Sequence, residues 1–302
     1  MKRLPQIALL PDGKRLHLQD GPIDLVIEAK GREGDVRGAY QAAARRFSGL
    51  LDELCEELAE LRTAADPARC ALKGVVARRM HAAVAPFAAE EFITPMAAVA
   101  GSVAEEILGA MLGAARLDRA YVNNGGDIAL HLTGGEQFTV GLMDRPDRHE
   151  LMRTMIVDAD DPVRGIATSG RHGRSFSLGI ADAVTVLAQT ASQADAAATI
   201  VANAVDLPGH PAITRCPANE LQPDSDLGAL PVTRDVGDLC EGEIDEALRA
   251  GASRAQQLLV AGLIEGAALR LLGETVVVGA TGIRAEALPA FHRNATDRVT
   301  HV

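Results

Sequence analysis

Residues 121–132 read YVNNGGDIALHL. Both ends alternate apolar and polar side chains as half-buried strands do, and the middle holds two asparagines, two glycines and an aspartate. Asn and Gly tolerate positive φ, so one reading is a tight connection. The other is a nest of bare backbone amides facing a ligand, with Asn124, Gly125, Gly126 and Asp127 as its candidates. A small-residue segment, TPMAAVAGSVAEEILGAMLGA (94–114), comes before this stretch, and Gly134-Gly135 and QFTVGLM follow it. That order predicts a helix feeding a β-hairpin, with Thr94 as N-cap and Pro95 at the first helical position.

Outward from there, strands are expected over 6–10, 14–19 and 22–30, joined by Pro-Asp-Gly and Asp-Gly-Pro turns. Apolar residues at three- and four-residue steps predict a helix from 34 to 64, closed by Asp66-Pro67, and a second helical piece over 71–84. GIATSG (165–170) and SFSLGIADAVTVLA (175–188) read as strands. SQADAAATIVANAV (192–205) reads as a helix capped by Ser192. Residues 207–233 read as a Pro- and Asp-rich loop insertion, 243–273 as helical, ETVVVG as a closing strand, and the tail from 291 as polar. Helices and strands do not keep the beat of a doubly wound sheet. The expected class is therefore α+β, with mixed or antiparallel sheets packed against helices in one domain of sub-halves 1–93 and 94–302.

With 302 residues the chain can bury a sizeable core, but aromatics are only 3% and Trp is absent, so Ala, Leu, Val and Ile must build it. The net charge of −11 argues against nucleic acid and anionic membrane surfaces as partners. The N-terminal apolar run is broken by Pro5 and Pro11 and falls short of a signal peptide. No uninterrupted apolar stretch reaches the roughly 18 residues of a membrane span. Four scattered cysteines without a CxxC pair read as reduced thiols. Together these features predict a cytoplasmic protein. The Ala-rich helix surface suits close packing, and a homodimer is expected.

Two further stretches bear on chemistry. Ala167-Thr168-Ser169-Gly170-Arg171-His172-Gly173-Arg174 reads either as a solvated loop or as an anion cradle of hydroxyls, amides and guanidiniums. In ADAAAT, Asp195 and Thr199 share one helix face, an oxygen pair that suits Mg²⁺, although Asp195 also fits as a first-turn residue favoured by the dipole. There is no GxSxG, HExxH, P-loop or dinucleotide fingerprint.

Taken in order, AGSVAEEIL, VNNGGDI, ATSGR and ADAAAT resemble the ApbE-like FAD:protein FMN transferases, once labelled thiamine-biosynthesis lipoproteins. The likeness covers about residues 94–206. The whole layout resembles more closely a cytoplasmic UPF-type branch of that superfamily without an assigned reaction. The resemblance implies a fold with tunnelling-fold-like halves, and Mg²⁺ held by Asp195, Thr199 and the Ala167 carbonyl, with Asp195 as the catalytic group. It also implies FAD or FMN held by Asn124, Gly125, Gly126, Asp127, Thr168, Ser169, Gly170 and Arg171. Two features of the transferases are missing. No lysine stands in the small-residue helix, and no H-x-x-D-P-x-(T/S)-G segment follows the S-G loop. The expected activity is a Mg-dependent transferase or hydrolase acting on FAD or a related pyrophosphate. The alternatives are a non-catalytic flavin- or nucleotide-binding accessory protein and an enzyme of pterin or coenzyme biosynthesis.

Overall fold

The computed structural model describes residues 4–143 and 151–279. The chain opens with a meander of β1 (Gln6–Leu9), β2 (Leu16–Asp20) and β3 (Ile23–Gly31). Four helices follow: α1 (Glu33–Phe47), α2 (Leu50–Glu56), α3 (Leu58–Leu61) and α4 (Val75–Val84). A 3₁₀ turn, Pro95–Ala98, runs into α5 (Val99–Ala114), and then come β4 (Leu117–Asn124) and β5 (Asp127–Leu132). β6 (Gln137–Met143) and β7 (Leu151–Asp158) form a ribbon, followed by β8 (Gly165–Ser169), β9 (Ala183–Ala188) and α6 (Ala191–Ala204). A second ribbon is made of β10 (Ile213–Pro217) and β11 (Pro231–Val236), with α7 (Ala218–Leu221) between them. The described chain ends with α8 (Glu241–Val260), β12 (Gly266–Leu271) and β13 (Glu274–Gly279).

Nine strands form one sheet in the order β1-β2-β3-β4-β5-β8-β9-β12-β13, and every neighbouring pair is antiparallel. β3 pairs with β4, so the sheet runs unbroken across residue 93. Its side chains alternate between two faces. Val122, Ala129, Ala167 and Val186 turn to the face covered by α1, α5, α6 and α8. Leu130, Leu132, Ile166 and Leu187 turn to the other face, where Met155 and Val157 of β7 cover them. The protein is thus α+β, a large antiparallel sheet between a helix layer and a ribbon.

Few aromatic side chains mean that small residues set the spacing of this core. Ala194, Ala196, Ala197 and Ala198 of α6 are all buried. A Cβ on Gly101 of α5 would lie 2.2 Å from the Ala191 carbonyl oxygen, and one on Gly165 would lie 2.1 Å from that of Thr190. The small residues of α5 are therefore used against the start of α6. Pro95–Ala114 is long and apolar enough, by length and composition, to cross a membrane. It packs at the centre of the helix layer, with Val103, Ala104, Ile107 and Met111 fully buried.

Several local readings change. The helix expected over 34–64 breaks at Gly49 (φ 88°) and again at Glu57. Helix 71–84 starts only at Val75. Thr94 makes no side-chain cap, because its hydroxyl donates to Asp226 at 2.5 Å. The cap of α6 is Thr190, whose hydroxyl accepts from the Gln193 amide at 3.3 Å, in place of Ser192. Residues 175–182 are irregular, and 207–233 holds most of the β10–β11 ribbon instead of a plain loop. The helix expected to reach 273 ends at Val260, and GAALRL becomes β12. QFTVGLM pairs with β7, not with β5. The tail from 291 lies outside the described residues.

Candidate functional site

Asn124 pairs with Asp127 across β4 and β5, leaving Gly125 (φ 68°) and Gly126 (φ 117°) as a two-residue loop. Positive φ at both positions is what the right-handed twist of a hairpin asks of its turn. Asn123 Oδ1 accepts from the Gly126 amide at 2.8 Å. The buried Asn124 side chain donates to the Ala100 carbonyl at 3.2 Å, tying the turn to the first turn of α5.

That helix has Ala98 at its N-cap and no side chain of its own to satisfy the leading amides. Asp195 of α6 supplies the acceptor, taking the Gly101 amide at 3.0 Å and also the Ala100 amide. The missing side chain at Gly101 permits this approach. Asp195 therefore has a structural duty, and Thr199, one turn further along α6, lines the same cavity. Asp127 accepts from the Thr168 amide at 3.2 Å. Burial pushes the Asp127 carboxyl up to about 7, against the lowering effects of the Thr168 amide and of Arg174. Burial and the Asp127 charge hold Asp195 well above the usual carboxylate range. Two partly buried carboxylates thus sense one another.

On β8, Thr168 Oγ1 meets Thr185 Oγ1 at 2.9 Å. Ala167 is fully buried and opposite Val186. Because the Thr168 amide turns to Asp127, strand alternation turns the Ala167 amide and carbonyl towards β9, where a laddered carbonyl keeps one lone pair. Gly170 (φ 150°) lies so close to Asp182 that a Cβ would be 2.5 Å from its carbonyl oxygen. Arg171 turns to the buried Asp182, with Nε at 2.9 Å and Nη2 at 2.6 Å from Oδ1. His172 Nε2 stands 3.2 Å from the same oxygen, and the Leu272 amide donates to Oδ2 at 2.6 Å.

These elements enclose a cavity of about 640 Å³, a size usual for small-molecule sites. One end is polar, with Asn124, Gly125, Asp127, Thr168, Ser169, Gly170, Arg174, Asp195 and Thr199. The other is apolar, with Leu51, Leu54, Leu58, Leu61, Phe92, Met96 and Val103. Residues 222–227 close one side, pinned by Arg62–Asp224 at 3.0 Å and Thr94–Asp226 at 2.5 Å. The three sequence constellations therefore meet in one cavity. Gly126, Ala167 and Arg171 are outside its lining, whereas Arg174 of the candidate cradle belongs to it, as do Thr94 and the 222–227 wall, which were not chosen from sequence as site residues. Among the described residues, no group of three or more His, Cys, Asp or Glu side chains could hold a metal ion. The oxygen donors in the lining include the Asp127 and Asp195 carboxylates and the Thr199 hydroxyl.

A family model described as "AbpE bacteria" matches residues 7–277. A UPF0280 protein of Methanopyrus kandleri is 36% identical over 182 residues, 60% of this chain and 69% of that protein. UPF0280 proteins of Methanothermobacter thermautotrophicus and Archaeoglobus fulgidus are 38% and 39% identical over 117 and 114 residues. Those two matches cover 38% and 37% of this chain, and 44% and 45% of the relatives, so the chain spans under half of their lengths. The match to the family model runs through every strand of the large sheet and all three site constellations, and on that extent the chain belongs to the AbpE bacteria family, within the ApbE-like proteins.

Proposed function

We propose that the cavity binds a flavin or related nucleotide and, with Mg²⁺, acts on its pyrophosphate as a transferase or hydrolase. The observation that carries this reading is the division of the cavity into an apolar end and a polar end. A ring system suits the leucine-lined end, and a phosphorylated head suits the hydroxyls, glycine edge and carboxylates.

The donor set fits a divalent cation. Asp127 and Asp195 are both raised by burial, and Asp195 also by the charge of Asp127, and a cation between them would offset that repulsion and favour both ionised forms. Asp195, Thr199 and Asp127 would hold it, and the backbone of β8 borders the same place. When bound, Mg²⁺ supplies charge stabilisation to a phosphoryl oxygen. This chain's residues do the rest. The α5 amides hold Asp195 in place, the Thr168 amide orients Asp127, and the 222–227 wall limits water at the ring end.

Asp195→Asn keeps an oxygen for the α5 amides and removes the charge. The expected outcome is a folded variant that no longer gains thermal stability from Mg²⁺ and no longer releases FMN and AMP from FAD. Unchanged Mg²⁺ response and turnover would sink the mechanism. A second reading, a ligand binder without turnover, is favoured by the absence of lysine from the cavity wall among the described residues. Bound FAD recovered intact after incubation with Mg²⁺ would select it.

A further inference from the structure

Arg171 and Arg174 both follow Ser169-Gly170, three residues apart, and spacing alone cannot tell their duties apart. The fold separates them. Both Nε and Nη2 of Arg171 are engaged by Asp182, and Asp182 is fixed in turn by the Leu272 amide. The Arg171 charge is neutralised, and the side chain is absent from the cavity wall. The backbone then turns at Gly170, whose carbonyl accepts the Gly173 amide at 3.0 Å, and delivers Arg174 to the hairpin. A Cβ at Gly125 would lie 3.3 Å from Arg174 Nη1 and 3.5 Å from Cζ, so the bare glycine edge is what seats the guanidinium.

Two arginines line the cavity. Arg62 is bonded to Asp224 at 3.0 Å, whereas among the described residues no carboxylate lies within ion-pair distance of Arg174. Serine hydroxyls at 169 and 175 line the wall beside it. A planar five-donor fork, held over backbone and facing Asp127 only beyond ion-pair distance, suits an incoming phosphate. We propose that Arg174, and not Arg171, recognises a phosphate group of the bound ligand against the Gly125 edge. The proposal deepens the ligand-binding reading above and rests on it.

The test compares wild type, Arg174→Gln and Arg171→Lys with three probes: riboflavin, FMN and inorganic pyrophosphate, each with Mg²⁺. Riboflavin carries the ring without a phosphate. In wild type, FMN should bind more tightly than riboflavin. Arg174→Gln should weaken FMN roughly 10- to 100-fold, the scale of a charge-assisted hydrogen bond, and leave riboflavin unchanged. Arg171→Lys should keep the wild-type FMN-to-riboflavin ratio. If Arg174→Gln keeps that ratio too, or Arg171→Lys abolishes it, the assignment is overturned. The pyrophosphate arm separates the two claims. If neither flavin binds, yet pyrophosphate raises the unfolding temperature of wild type and not of Arg174→Gln, the flavin reading fails and the arginine assignment stands. If neither FMN nor pyrophosphate responds to residue 174, the assignment fails.

Discussion

Gly101→Ala adds one methyl group where the fold has no space for it. The new Cβ would lie 2.2 Å from the Ala191 carbonyl oxygen, 2.5 Å from its carbon and 2.8 Å from the Ser192 nitrogen. All three are backbone atoms and cannot rotate away, so the overlap belongs at the upper end of overpacking costs, about 3 kcal/mol. Parting α5 from α6 also stretches the Asp195 bond to the Gly101 amide, which is worth about 0.5–1.5 kcal/mol. Alanine returns about 1 kcal/mol as a better helix former. The net expectation is a loss of about 2.5–3.5 kcal/mol, or roughly 5–7 °C in midpoint for a chain of this size. Gly109→Ala is the matched control. It lies on the exposed side of the same helix with no atom within 4 Å of its added Cβ, so it should gain about 0.5–1 kcal/mol. Far-UV circular dichroism during thermal and urea unfolding reads both variants, since the chain has no Trp. Equal shifts of the same sign would refute the claim that close backbone approach at Gly101 positions Asp195.

Asp127→Asn tests the raised carboxyl. The folded-state value of about 7 lies above the ordinary 3.8, so the folded protein keeps a proton that the unfolded chain has lost between those pH values. Below 3.8 the group contributes nothing. Wild-type stability is lost as pH rises to about 7, and above that the penalty is constant. Asn should therefore stabilise the protein at pH 8 relative to pH 4, read as urea midpoints across the range, and a pH-independent difference would contradict the assignment. Asp182→Asn strips the buried partner from Arg171 and should cost about 3–5 kcal/mol, visible as a lowered urea midpoint with an unchanged slope. A change below about 1 kcal/mol would mean the loop does not depend on this pair.

What could be read from sequence was what local chemistry encodes. Pro-Asp-Gly and Asp-Gly-Pro announced the first three strands because turn residues act within four positions. VNNGGD announced its hairpin for the same reason, and the three site motifs do meet. GAALRL could not be read as a strand, since Ala, Leu and Arg favour helix and only the neighbours β9 and β13 hold it extended. The choice between Arg171 and Arg174 depends on Asp182, eleven residues beyond the first and brought back by β9. The wall at 222–227 depends on Arg62 and Thr94, more than a hundred residues away. Ser192 and Thr190 are both good caps by composition, and the extended backbone at Thr190 with its bond from the Gln193 amide picks Thr190.

The peptide from Thr190 to Ser192 is gripped between two glycines, Gly165 on one side and Gly101 on the other, main chain against main chain. Such a vice fixes the start of α6, and with it Asp195, by main-chain contact, with Glu105 and the Thr190 hydroxyl taking the Ser192 and Gln193 amides. The opposite end of the cavity is built from leucines, a methionine and a phenylalanine, which can be exchanged for one another at small cost. One end of the chamber is therefore machined and the other upholstered. On this frame the apolar end can drift among side chains of similar volume while the carboxylate end stays where two bare backbones hold it.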